Sequence, residues 1–181
     1  MEKTVKSELF SWIQSLLFAL AIVFISYQFL FVPTKVQGES MLPTFEDKNR
    51  IIVSKVSTID RFDMIVFDAP NATEKYIKRV IGVPGDRIEM IDDILHVNGK
   101  VYDEPYVKRI DGDPITDRIT GDFTLKEITG QAEVPEGAFF VLGDHRLKSN
   151  DSRFFGFIYE DAVIGEVKLR YYPFTAIGIP K

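Results

Sequence analysis

The chain has 181 residues, a net charge of −5, no cysteine, two histidines and 45% hydrophobic residues. That length allows one ordinary domain with a real core, and the missing cysteine excludes a disulfide framework, a thiolate zinc site, an iron–sulfur cluster and a cysteine nucleophile. The acidic balance argues against a nucleic-acid surface, which clusters Lys and Arg, and two histidines argue against a multi-histidine centre, so neither metal nor cofactor is expected.

No charged residue occurs from Leu9 through Thr34, a run of 26. At about 1.5 Å rise per residue, roughly 20 of them cross a hydrocarbon layer about 30 Å thick. Trp12 at one end and Tyr27, Phe29 and Phe31 at the other suit the two interfacial belts. A cleavable signal would have a shorter apolar stretch and a small-x-small site after it, whereas this run ends in Phe29-Leu30-Phe31-Val32-Pro33. The segment reads as an uncleaved anchor over 9–32 behind a short tail, 1–8, with Pro33 ending the helix. Charge does not orient it: Lys3 and Lys6 precede the anchor and Lys35, Lys48, Arg50 and Lys55 follow it, but the bias rule does not govern a long translocated domain.

The remainder reads as β. Strand-like runs lie at 50–56, 63–67, 76–83, 87–90, 94–97, 100–102, 138–142 and 165–172, and Asn98-Gly99 suits a type I′ hairpin turn. Pro84-Gly85-Asp86 and Pro135-Glu136-Gly137 separate strands. The stretch 103–135 differs, with eight acidic and four basic residues. It is expected to be a solvated ribbon or loop inserted into a β-rich core formed by 33–102 and 136–181. The aromatics of 154–158 and 171–174 are expected to pack in that core.

Three polar fragments stand out. The first is Val36-Gln37-Gly38-Glu39-Ser40-Met41-Leu42-Pro43-Thr44, in which a serine among Gly and Pro is ordinarily a turn former, and the nucleophile-elbow pattern G-x-S-x-G is absent. The second runs from Lys75 to Asp86. Tyr76 and Lys78 share a strand face there; if that face is the core face, burial disfavours the Lys78 ammonium and suits it to act as a base. A snorkelling lysine is the plainer alternative. The third is Gly143-Asp144-His145-Arg146-Leu147-Lys148-Ser149-Asn150-Asp151-Ser152-Arg153, a polar loop between apolar runs, with carboxylates and guanidinium groups spaced to pair.

In this order behind an anchor, the fragments resemble the type I signal peptidases, membrane-bound serine proteases, in the compact single-anchor form common in Gram-positive bacteria. Gly38-x-Ser40-Met41-x-Pro43-Thr44 resembles their nucleophile box, Arg61–Phe67 the following strand, Lys78–Asp86 the general-base box and Gly143–Arg153 the supporting box. The resemblance implies a mostly β fold with an N-terminal transmembrane helix. It implies Ser40 as nucleophile, Lys78 as general base, Ser149 as the residue orienting the lysine amine, and paired supports in Asp151 with Arg153 and Asp144 with Arg146. Val36, Gly38, Met41, Tyr76 and Ile77 are the implied substrate-binding residues, for signal-peptide-bearing preproteins cut after Ala-x-Ala sites as they leave the export machinery. The implied location is the cell membrane, N-terminus cytoplasmic and residues after about 33 outside, with the lipid bilayer as a second partner.

Two positions depart from the family pattern. Gly38 stands where Gram-negative members commonly place a serine that donates to the oxyanion, which leaves the Ser40 N–H as the main donor. His145 stands where Asn is usual, and no catalytic role is assigned to it. Organellar relatives stay open as an alternative; a LexA-like self-cleaving protease gives no reason for an anchor, and a non-cutting signal-peptide binder gives none for the serine and lysine together.

Overall fold

The computed structural model describes residues 2–70 and 73–180. Helix α1, Glu2–Leu30, is followed in chain order by β1 (Phe31–Lys35), β2 (Arg50–Ser54), β3 (Met64–Asp68), β4 (Lys75–Gly82), β5 (Ile88–Ile91), β6 (Ile94–Val97), β7 (Lys100–Tyr102), β8 (Phe123–Thr124), α2 (Leu125–Thr129), β9 (Ala138–Leu142), α3 (Ser152–Phe155), β10 (Ile158–Tyr159) and β11 (Val163–Tyr172). The protein is mostly β, as the alternating sequence requires. A seven-stranded sheet runs β1-β2-β11-β3-β4-β9-β10 and a four-stranded sheet runs β7-β6-β5-β8.

At about 1.5 Å per residue, the 29 residues of α1 extend about 43 Å. Its stretch Phe10–Tyr27 is long and apolar enough to cross a membrane, and none of it is buried by the rest of the chain. The helix ends at Leu30, before Pro33 rather than at it. Its last carbonyl accepts from the Lys55 N–H at 2.9 Å, and the chain turns directly into β1, where Pro33 faces Ile52. A proline fits there because β1 is an edge strand, where a missing N–H costs little in the ladder. The expected helix stop is therefore three residues late, and the strand hidden in Phe31–Lys35 was masked by the apolar run it continues.

Strands β3 and β9 read as unbroken apolar runs because both of their faces are covered. Met64 and Val66 join one core cluster with Val36, Met41, Phe45, Ile51, Val53, Ile77 and Val167. Ile65 and Phe67 face the opposite cluster, with Val80, Phe139, Val141 and Ile158. The alternate residues of β9, Ala138, Phe140 and Leu142, pack with Ile88, Met90, Leu95, Val97 and Phe123, which joins the two sheets. The hairpin between β6 and β7 turns at Asn98 and Gly99, with φ of 55° and 75°, the left-handed pair that a type I′ turn requires.

The aromatics of 154–158 and 171–174 divide. Phe155 and Phe157 pack against the core and Ile158 is buried, whereas Phe154, Tyr172 and Phe174 are exposed. Expecting all of them inside was wrong. In α3, Phe154 projects away from the face that Phe155 packs against β9, and Tyr172 and Phe174 meet edge to face at the end of the sheet, 5.9 Å between centroids.

Phe140 is fully buried and its ring meets Phe123 and Phe157 at 5.9 and 6.3 Å. Phe140→Ala is expected to lower unfolding stability by about 3–5 kcal/mol, read by urea denaturation of the full chain in detergent.

Candidate active site

Ser40 sits in the tight turn that follows β1. Val36 pairs with the residues just before β2: its N–H donates to Asn49 O at 2.9 Å and its carbonyl accepts from the Lys48 N–H at 3.0 Å. The chain then bends at Gly38, φ +82°, whose N–H donates to Asp47 Oδ1 at 3.1 Å. Beyond Ser40, the side chains of Met41 and Phe45 plug into the core. The Phe45 N–H returns to Met41 O at 2.8 Å, so the serine stands on a short anchored loop.

Strand β4 brings Lys78 to this loop. Its side chain is 3% exposed, and Nζ lies 2.7 Å from Ser40 Oγ and 3.1 Å from Ile77 O. Nζ also lies 5.0 Å from the Tyr76 ring centroid. Burial lowers the amine from its ordinary 10.5 to about 8, against the opposing pull of Asp151 and Asp144. A hydroxyl at hydrogen-bond distance from an amine that loses its proton near neutral pH is an arrangement for proton transfer.

The loop after β9 forms the wall behind the pair. The Gly143 N–H donates to Asp151 Oδ2 at 3.1 Å, and Asp151 is held in turn by Arg153 at 2.8 and 2.9 Å. The His145 N–H donates to Ser40 O at 3.1 Å. A methyl group at Gly143 would come within 2.2 Å of Ser149 Oγ and 2.5 Å of Ser40 O, so glycine is what lets the two loops approach.

Asp144 does not pair with Arg146. It is fully buried and takes Arg79 at 2.8 and 2.6 Å, because Arg79 projects from β4 where that strand leaves Leu142. Arg146, equally buried, turns the other way to Glu104, Thr120 Oγ1 and Gly143 O. Ser149 is 7% exposed and its Oγ has no partner; Lys78 Nζ is met instead by Ser40 and Ile77. The expected orienting bond from Ser149 is not formed.

A cleft of about 500 Å³ opens over Ser40 and Lys78, and Val36, Gly38, Met41, Tyr76 and Ile77 all line it. Ser149, Asp151, Arg153, Asp144 and Arg146 lie behind it. Two strand edges border this space: β1 is terminal in its sheet, and β9 covers the edge of β4 only from Arg79 onward.

Sequence reasoning missed Arg79, Glu104, Tyr106, Asp113 and Thr120. Tyr106 lies 3.8 Å beneath the Arg79 guanidinium and donates to Glu104 at 2.9 Å. Asp113 meets His145, and Thr120 accepts from Arg153 as well as Arg146. All but Arg79 lie in a stretch whose acidic composition looks like an ordinary solvated surface. The one available signal was the excess of arginines near the site over carboxylates in the site's own loop.

Residues 9–172 match the model of the signal peptidase, peptidase S26, family. The chain belongs to that family. Signal peptidase I of Bacillus caldolyticus is 51% identical over 150 residues, 81% of this chain and 82% of the relative. Signal peptidase IB of Staphylococcus aureus strain Mu50 is 41% identical over 182 residues, covering 94% of this chain and 93% of the relative. The crystal structure of a signal peptidase I from Enterococcus faecalis V583 superposes with a TM-score of 0.55 at 39% identity, spanning 61% of this chain and 97% of that one. As a family member the protein is a serine peptidase that removes signal peptides, and its N-terminal apolar helix makes it membrane-anchored.

Because Gly143 separates Ser40 from Ser149, Gly143→Ala is expected to lower the peptidase turnover number by about 10²-fold, the scale of a 1 Å misplacement, and to lower the unfolding temperature through overpacking worth about 1–3 kcal/mol. Turnover and melting measured on the same preparation check this.

Proposed function

We propose that the peptidase cuts by a Ser40–Lys78 dyad, and the observation that carries this is the 2.7 Å contact between a hydroxyl at the cleft and an amine lowered to about 8. Neutral Lys78 takes the Ser40 proton as Oγ attacks the scissile carbonyl. The tetrahedral intermediate collapses to an acyl-enzyme ester, and the Lys78 ammonium gives its proton to the departing amine. Neutral again, Lys78 deprotonates a water that attacks the ester and then returns the proton to Ser40. Gly38 offers no hydroxyl, so the Ser40 N–H is the donor to the oxyanion.

The substrate lies extended between the open edges of β1 and β4. Val36 already spends both backbone groups on Asn49 and Lys48, which leaves Gln37 to offer main-chain bonds on the β1 side and Lys75–Ile77 on the other. Val36, Met41 and Ile77 wall shallow pockets, and the rule they impose is exclusion: residues larger than alanine overpack them. That supports cleavage after Ala-x-Ala. Asp144, Asp151, Arg146 and Arg153 support the loop that faces the dyad, and a rotation of Ser149 would bring its unpartnered hydroxyl into play on the lysine.

We divide the chain into a tail (1–8), an anchor (9–32), a catalytic core (33–102 with 136–181) and an inserted segment (103–135). The anchor holds the site beside the lipid bilayer, where the cleavage region of a preprotein leaving the export machinery emerges. On this reading the N-terminus is cytoplasmic and the catalytic core lies outside.

Cleavage of an Ala-x-Ala preprotein in detergent is expected to vanish in folded Ser40→Ala and to fall about 10²–10⁴-fold in folded Lys78→Ala; full activity in either overturns the dyad. Since the amine must be neutral to act, kcat/KM is expected to rise with pH up to about 8 and then level. A rate that falls across that range contradicts a lysine base.

A further inference from the structure

The peptide group between Glu39 and Ser40 contains both the Glu39 carbonyl and the Ser40 N–H. It is planar and trans, so these two point in opposite directions and fixing one fixes the other. The Glu39 carbonyl lies 3.2 Å from Nδ1 of His145. A carbonyl oxygen only accepts, so Nδ1 donates in this contact. The His145 N–H binds the next carbonyl, that of Ser40, at 3.1 Å. One residue therefore clamps the carbonyls on both sides of the Ser40 Cα.

The clamp is itself held. The His145 ring is 1% exposed and its Nε2 lies 2.8 Å from Asp113 Oδ1. Asp113 accepts from the Ile110 N–H at 2.8 Å; that bond and the imidazole hold its carboxyl below the usual carboxylate range. On the far side of the peptide, the Ser40 N–H has no acceptor among the described residues, and Glu39 and Ser40 both line the cleft.

We propose that His145 is a positioning residue for the oxyanion site: by fixing the Glu39 carbonyl it aims the Ser40 N–H at the developing negative charge, and Asp113 fixes His145. This rests on Ser40 being the nucleophile. It answers a need of this site, because Gly38 brings no second donor and a single N–H stabilises an oxyanion only in the right direction. The inserted segment thereby reaches the reacting atoms at one remove, through Asp113.

The test compares a peptide aldehyde ending in alanine, which Ser40 adds to as a hemiacetal that places an oxyanion-like oxygen in the site, with the matching alcohol, which binds without adding. In His145→Ala, kcat is expected to fall about 10–100-fold with KM within about twofold, as for partial loss of an oxyanion donor. The tighter binding of aldehyde over alcohol should shrink by a similar factor while alcohol affinity holds. His145→Asn, whose amide N–H can occupy the place of Nδ1, should recover most of the loss, and Asp113→Ala should shift the same ratio less. An unchanged aldehyde-to-alcohol ratio in His145→Ala, or equal loss of both affinities, overturns the proposal. If His145→Ala does not fold, the ratio in Asp113→Ala decides it. An unmodified enzyme with no preference for the aldehyde overturns the assignment of Ser40 and, with it, the role given to His145.

Discussion

Everything at the site depends on keeping one amine out of water. Bringing Lys78 from 10.5 to about 8 corresponds to about 3 kcal/mol against its charged form. It raises the neutral fraction at pH 7.4 from about one in a thousand to about one in five. The same shift costs stability: an unfolded chain binds the proton more tightly, so folding becomes more favourable as pH rises from about 8 to about 10.5 and the penalty is full below that window. The two carboxylates that would pull the amine back up, Asp151 and Asp144, are each taken by an arginine, Arg153 and Arg79, in two-pronged contacts. Pairing these acids with arginines leaves the lysine with a serine hydroxyl and a carbonyl as its near partners.

That division of charge explains why so many ionic groups are buried around a small cleft. Arg146, too, is neutralised from outside its own loop, by Glu104. Tyr106 covers Arg79, and burial pushes its phenol far above the ordinary value. The segment carrying these groups is tied to the small sheet where Asp93 accepts the N–H groups of Ile119, Thr120 and Gly121. A stretch that looks like surface excursion is thus a brace, fastened at one end to a hairpin and at the other to the loop behind Ser40 and Lys78.

Local chemistry made part of this legible. The limits of the strands at Ile94–Val97, Lys100–Tyr102 and Ala138–Leu142 follow from the turn residues beside them, the last as an unbroken apolar run. Lys78 could be flagged because Tyr76 shares its face and its neighbours are apolar. What alternation cannot convey is which distant charge meets which. Asp144 and Arg146 are two apart in sequence yet turn to opposite sides, while Arg79, 65 residues away, arrives on a neighbouring strand. Short strands such as Phe123–Thr124 and Ile158–Tyr159 carry too few residues to show a period and exist only because a partner strand is present. The edge strand at Phe31–Lys35 was hidden by its continuity with an apolar helix.

The central claim is that burial alone brings the Lys78 amine into the neutral range, and it is tested most directly by titrating that amine. Lysine labelled with ¹³C at Cε, assigned through Lys78→Arg, reports protonation by chemical shift in the intact protein in detergent micelles. The structure predicts a midpoint at about 8. A midpoint at the ordinary lysine value, about 10.4, would mean that the amine is charged at working pH and would contradict the account of how this peptidase activates its serine.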